Sequence, residues 1–117
     1  MKKTYPPYQL TYSAPLGTEV KFEVKLISDG NFGSTFVNLP GSIRDKLISN
    51  NGTYSLGNIE NLVSELTIVA SNFINPLDVE DTIKIKYLFN DKEIVHENLK
   101  SEADDVVILI KVNFVVS

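Results

Sequence analysis

A chain of 117 residues with 43% apolar and 22% charged residues is long enough to enclose one core and too apolar for a disordered or low-complexity segment. Its 11 basic and 15 acidic residues give a net charge of -4, and no Lys/Arg run is long enough to neutralise a stretch of phosphates, so no nucleic-acid partner is expected. Without cysteine there is no disulfide, thiolate nucleophile or thiolate metal site, and packing must carry the stability.

Met1-Lys2-Lys3 is basic, but Thr4-Tyr5-Pro6-Pro7-Tyr8 follows where a signal peptide would place an apolar run. No stretch approaches the ~20 apolar residues of a spanning helix, and the most apolar one, Val106 to Val116, is broken by Lys111 and Asn113. The expectation is a single domain over residues 1–117, in the cytoplasm, with export by a non-classical route left open.

Successive strand side chains point to opposite faces, so alternation is the main signal. Tyr8, Leu10 and Tyr12 alternate with Gln9, Thr11 and Ser13, and Val20, Phe22, Val24 and Leu26 alternate with Lys21, Glu23 and Lys25. Ala14-Pro15-Leu16-Gly17 between them offers a reversal that would make the pair a hairpin. Asp29-Gly30-Asn31 and Gly33 read as the next turn, followed by a short strand through Thr35, Val37 and Leu39 that stops at Pro40-Gly41. Ser42 and Asp45 have the spacing of a capping box, predicting one helical turn ended by Asn50-Asn51-Gly52. Tyr54 and Leu56 open another short strand.

Residues 58–70 fit both a helical stripe and an alternating strand. The β-branched run Thr67-Ile68-Val69 decides for strand from about Glu65, with one helical turn before it. After an acidic loop at Asn75 to Asp81, Ile83, Ile85, Tyr87 and Phe89 mark a strand. Asn90-Asp91 supplies a tight turn into a returning strand over Glu93 to Glu97. The last strand sets Val106, Ile108, Ile110, Val112, Phe114 and Val116 on one face and belongs at the centre of a sheet.

About eight strands with one or two short helical turns predict an all-β fold, an antiparallel β-sandwich. Immunoglobulin-like and C2-like sandwiches are comparable in strand count and size alone. No Cys, Trp and Cys pattern and no regular set of calcium-loop aspartates is present, so no family is assigned.

The sequence holds no phosphate-cradling glycine motif, and no cofactor is expected: Gly30, Gly33, Gly52 and Gly57 read as turn residues. The lone histidine, His96, has no serine motif nearby and reads as an exposed or half-buried strand residue, so no catalytic role is expected. Acidic loops carrying Asp29, Asp78, Asp81, Asp104 and Asp105 would suit calcium if they converged at one end of the sandwich, because calcium takes six to eight oxygen ligands. Solvation is the simpler role for such acids. Tyr5-Pro6-Pro7-Tyr8 is an extended aromatic arm, suited either to recognising a partner through Tyr5 and Tyr8 or to packing on its own sheet. Val107, Leu109 and Val115 make the second face of the last strand too apolar for open water, so a loop, the arm or another subunit should cover it.

The function expected is a non-enzymatic binding or structural module working through protein contacts, including contacts with itself as a homo-oligomer. The alternative is a calcium-dependent or membrane-peripheral sandwich using the acidic loops.

Overall fold

Period-two alternation becomes, in the computed structural model, a sandwich of two packed sheets. The structure describes residues 2–28, 30–40, 46–75 and 81–117. Its strands are β1 (Lys2–Thr4), β2 (Tyr8–Ala14), β3 (Glu19–Leu26), β4 (Phe32–Asn38), β5 (Lys46–Ser49), β6 (Gly52–Asn58), β7 (Thr67–Ile74), β8 (Thr82–Phe89), β9 (Lys92–Leu99) and β10 (Asp105–Val116). The larger sheet places β1 and β2 in succession along one edge of β10, followed by β7, β4 and β5; the smaller has the order β6-β3-β8-β9. Pairing is antiparallel except for β1 and β2, which run parallel to β10. The expected all-β sandwich is what forms, with β1 and β5 added to the strands read from the sequence. One 3-10 turn, Ile59–Asn61, precedes β7, where a helical turn was expected.

The two inner faces supply the core. Val20, Phe22 and Val24 of β3 and Ile83, Ile85, Tyr87 and Phe89 of β8 lie fully buried against Val69 and Phe73 of β7 and Val106, Ile108, Ile110, Val112 and Phe114 of β10. Each such side chain contributes roughly 1.5–3 kcal/mol through the water it sheds. Phe22 packs on Phe89 at 4.9 Å between ring centroids, and Phe89 meets Phe114 of the opposite sheet edge-on at 6.1 Å. A polar link also joins the layers: the Tyr87 hydroxyl donates to Ser71 Oγ at 2.9 Å, and Ser71 Oγ lies 2.8 Å from Thr35 Oγ1. Burial pushes the Tyr87 phenol up from its ordinary value, so it remains a donor.

Several local expectations are corrected. β2 and β3 do not form a hairpin: the connection through Pro15 and Gly17 (φ 87°) carries the chain from the larger sheet to the smaller. Alternation says which face a side chain takes and nothing about which strand lies alongside. Gly33 lies inside β4 rather than in a turn, and a Cβ there would overlap the Asn72 carbonyl oxygen of β7. Gly57 (φ 97°) sits in β6 beside the register shift between Val20 and Lys21, the setting of a β-bulge.

The capping box at Ser42 and Asp45 lies outside the described residues. The stretch that would have continued its helix is strand β5, because Ile48, 2% exposed, is drawn into the core while β5 pairs with β4. Asn50 does adopt the left-handed conformation (φ 56°). The β8–β9 hairpin forms as read, with Asn90 at φ 54°. The Asn90 side chain accepts from the Lys21 amide at 2.8 Å and donates to the Tyr12 hydroxyl and the Glu19 carbonyl, both at 3.0 Å. One turn residue thereby ties β2 and β3 to the hairpin.

Candidate functional site

Proline has no N–H to give a ladder, so Pro6-Pro7 interrupts the edge pairing between β1 and β2. The Tyr5 amide still donates to the Val107 carbonyl at 3.0 Å. The arm thus lies in the plane of the larger sheet, along the β10 edge, and its two tyrosines reach across to β9. The Tyr8 hydroxyl is 2.8 Å from His96 Nδ1, and the Tyr5 ring meets the His96 ring edge-on at 4.6 Å. The Tyr5 hydroxyl donates to Glu102 Oε2 at 2.6 Å, while Lys3 Nζ lies 3.3 Å from Glu102 Oε1 and 4.7 Å from the Tyr5 ring centroid.

The far side of the imidazole fixes its tautomer. Asn98 Nδ2 donates to two carbonyls, Leu99 at 2.8 Å and Ala103 at 3.0 Å, which only an amide nitrogen can do. Asn98 Oδ1 must then be the atom 2.9 Å from His96 Nε2, so Nε2 carries the proton. In the neutral ring Nδ1 is left as acceptor, and Tyr8 donates to it. Burial, opposed by the Asn98 hydrogen bond, pushes the His96 pKa below its ordinary 6.5. Burial also raises the Tyr5 and Tyr8 phenols, and the Tyr5 hydrogen bond and Lys3 hold the Glu102 carboxyl down.

At 1% exposure His96 is neither exposed nor half-buried, which corrects the expectation for it. Both ring nitrogens are committed to fixed partners, an arrangement that fastens the arm across the sandwich. Tyr5 and Tyr8 therefore spend their hydroxyls inside the fold.

Of the five aspartates the structure describes Asp81, Asp104 and Asp105, and Asp104 shares one depression with Asp81 and another with Asp105. Asp81 and Asp104 border one shallow depression with Leu99, Lys100 and Ser101. The Asp105 carboxylate accepts from Asn72 Nδ2 at 2.7 Å. Asp29 and Asp78 lie outside the described residues. No group of three or more His, Asp or Glu side chains placed to hold a metal occurs among the described residues.

The outward face of the larger sheet is the more distinctive surface. Register places Leu109, Ala70, Phe36 and Leu47 in one row across β10, β7, β4 and β5. A second row holds Val107, Asn72, Ser34 and, on β5, Ser49; a third holds Asp105, Ile74 and Phe32; a fourth holds Lys111, Ile68 and Asn38. Phe36 is 41% exposed, Phe32 49% and Leu47 63%, and Val115 near the end of β10 is also exposed, while Val107 and Leu109 are half-buried by their neighbours in the sheet. The arm, lying in the sheet plane, does not cover this face.

The sequence reading found the β10 part of the surface and missed Phe32, Phe36, Leu47, Ile68 and Ile74. For four of them the signal is continuous apolarity, since Phe36-Val37, Leu47-Ile48, Ile68-Val69-Ala70 and Phe73-Ile74 are apolar on both strand faces, while Phe32, between Asn31 and Gly33, gives no such signal. No family model, curated protein or solved structure matches the chain.

Proposed function

We propose that the chain is a non-enzymatic binding or structural module that acts through protein contacts on the outward face of its larger sheet. The observation that carries this reading is the row Leu109–Ala70–Phe36–Leu47, with Phe36 and Leu47 exposed and Leu109 and Ala70 half-buried, and with exposed Phe32 on the same face of β4, on a sheet whose other face already supplies the core. An antiparallel sheet with one face on the core ordinarily turns polar side chains to water on the other. A contiguous apolar face is the mark of a contact surface. The sealed state of His96 agrees with this reading, since a general base needs a lone pair within reach of a substrate proton.

A photo-reactive phenylalanine analogue placed at Leu47, and separately at Lys21 on the outward face of the smaller sheet, tests it in cells that make the protein. Illumination is expected to give a discrete protein adduct from position 47 and none from position 21. Equal, diffuse labelling from both positions would overturn the reading.

A further inference from the structure

Resting on that reading and naming its partner, we infer that the outward face of the larger sheet docks a second copy of the same chain, with β10 antiparallel over β10 about a twofold axis that crosses the strands between Val107 and Leu109. A twofold interface must be self-complementary: whatever one residue meets, its image must meet in return. The rows of this face satisfy that condition. Asp105 and Lys111 are the charged residues on β10's outward side, and they stand three positions either side of Ile108, so the axis sets each against the other's image. The same operation lays Phe36 on the image of Ser34, Leu47 on that of Ser49 and Ile68 on that of Ile74. In these pairs bulky side chains fall over small ones, apolar over apolar, and acid over base, while Ala70 falls on the image of Asn72 and Phe32 on that of Asn38.

Charge bears on the choice of partner. On the smaller sheet's outward face, Lys21, Lys25, Lys84 and Lys86 each lie within 4 Å of a carboxylate of the same chain. Lys111, on the larger sheet, has no such partner among the described residues, and the image of Asp105 supplies one. Sheets stacked face to face cross at roughly 30°, which displaces Lys111, about 10 Å from the axis, sideways by about 5 Å, within a lysine's reach. The same angle shifts β4 and β5 along their strands by about 5 and about 7 Å, so the matches of Phe36 and Leu47 require the two sheets to be more closely aligned than that. Within three residues of the axis, β10, β7 and β4 supply about seven residues each, β5 four, and β1 and β2 a few at the edge, a face of roughly 500 Å² at about 4.8 by 3.4 Å per residue. Two copies then bury on the order of 1,000 Å², the least that a specific dimer needs.

Sedimentation equilibrium on the full chain, from a few to several hundred micromolar, tests the pairing. The wild type is expected to dimerise in that range, Lys111→Asp and Asp105→Lys each to weaken the dimer at least tenfold, and the double exchange Asp105→Lys/Lys111→Asp to recover most of the loss. Melting curves confirm that each variant is folded, and Phe36→Asp, which leaves both charges in place, is expected to abolish the dimer. Because the natural chain has no cysteine, a mixture of Val107→Cys and Leu109→Cys proteins adds a register test. Mixed disulfides should form faster than either homodisulfide. A wild type that stays monomeric at several hundred micromolar, or a double exchange no better than the single ones, would overturn the proposal. If position 47 then still crosslinks a different protein, the contact face stands and only the identity of its partner falls; if it crosslinks nothing, both fall.

Discussion

The outward faces of the two sheets obey the same alternation and meet opposite ends. On the smaller sheet β3 sends out Glu19, Lys21, Glu23 and Lys25, and β8 and β9 send out Lys84, Lys86, Glu93 and Glu97. Ion pairs lace this face: Lys84 to Glu97 and Lys86 to Glu93, both at 3.6 Å, beside Lys21 to Glu19 and Lys25 to Glu23. On the larger sheet the corresponding positions hold Phe32, Phe36, Leu47, Ile68, Ile74 and Leu109 among Ser34, Asn38, Ser49 and Asn72, whereas the exposed apolar residues of the smaller sheet, Tyr54, Val95 and Leu99, stand among its charges. Both sheets seal the same core equally well, so the difference has no bearing on the inside of the molecule. On the proposed reading it concerns what each face meets outside: water in one case, another protein surface in the other. A charged face also protects against wrong pairing, because desolvating unpartnered charges is costly.

The largest expected effect separates inside from outside on a single strand. Ile108→Ala empties core volume and should cost about 2–5 kcal/mol in urea unfolding, whereas Leu109→Ala, one residue on and outward, should stay within about 1 kcal/mol at dilute concentration. Similar losses from both would remove the contrast between the two faces of β10.

Next in size is the latch that holds the arm. Tyr8→Phe leaves His96 Nδ1 a buried acceptor without a donor and should cost about 1–3 kcal/mol. The same site gives a pH dependence of definite sign. The unfolded chain takes up a proton at the ordinary histidine pKa of 6.5 and the folded chain resists it, so the stability linked to His96 is fully present above 6.5. It is lost as pH falls from 6.5 through the lowered folded value. Urea midpoints measured across that window should fall for the wild type and fall less for His96→Gln.

On the outward faces the effects on the isolated monomer should be small and of different kinds. Phe36→Lys is expected to change unfolding at dilute concentration by about 0.5 kcal/mol or less while reducing association. Lys84→Gln, which removes one exposed ion pair, should cost about 0.5 kcal/mol or less, and that cost should shrink in molar salt. Loss of association from Lys84→Gln would reverse the roles assigned to the two faces.

What the residues revealed depended on whether water touched one side of a strand. β3 is plain because Lys and Glu occupy every second place and β8 because Lys84 and Lys86 alternate with Ile83, Ile85 and Tyr87, and the β8–β9 turn is plain because Asn90 accepts a left-handed backbone. β5 was read as helix because Lys46-Leu47-Ile48-Ser49 is too short to show a period and its outward Leu47 is apolar. The β2 and β3 partners were hidden for another reason: turn chemistry at Pro15 and Gly17 serves a crossing between sheets as well as a hairpin. His96 was misplaced although its neighbours gave the phase. Glu93, Val95 and Glu97 mark the outward side of β9, which puts His96 and Asn98 inward. The latch itself joins residues up to 99 positions apart in sequence, and no local pattern encodes such a meeting.

Hydroxyl-radical footprinting across a concentration series compares the two faces most directly. Oxidation of Phe32, Phe36 and Leu47 is predicted to fall severalfold between low and several hundred micromolar protein, while that of Val95 and Leu99 on the smaller sheet stays constant. Unchanged oxidation of Phe36 and Leu47 throughout, or equal protection on both faces, would contradict the assignment of the larger sheet's outward face as the surface this protein uses to dock a second copy.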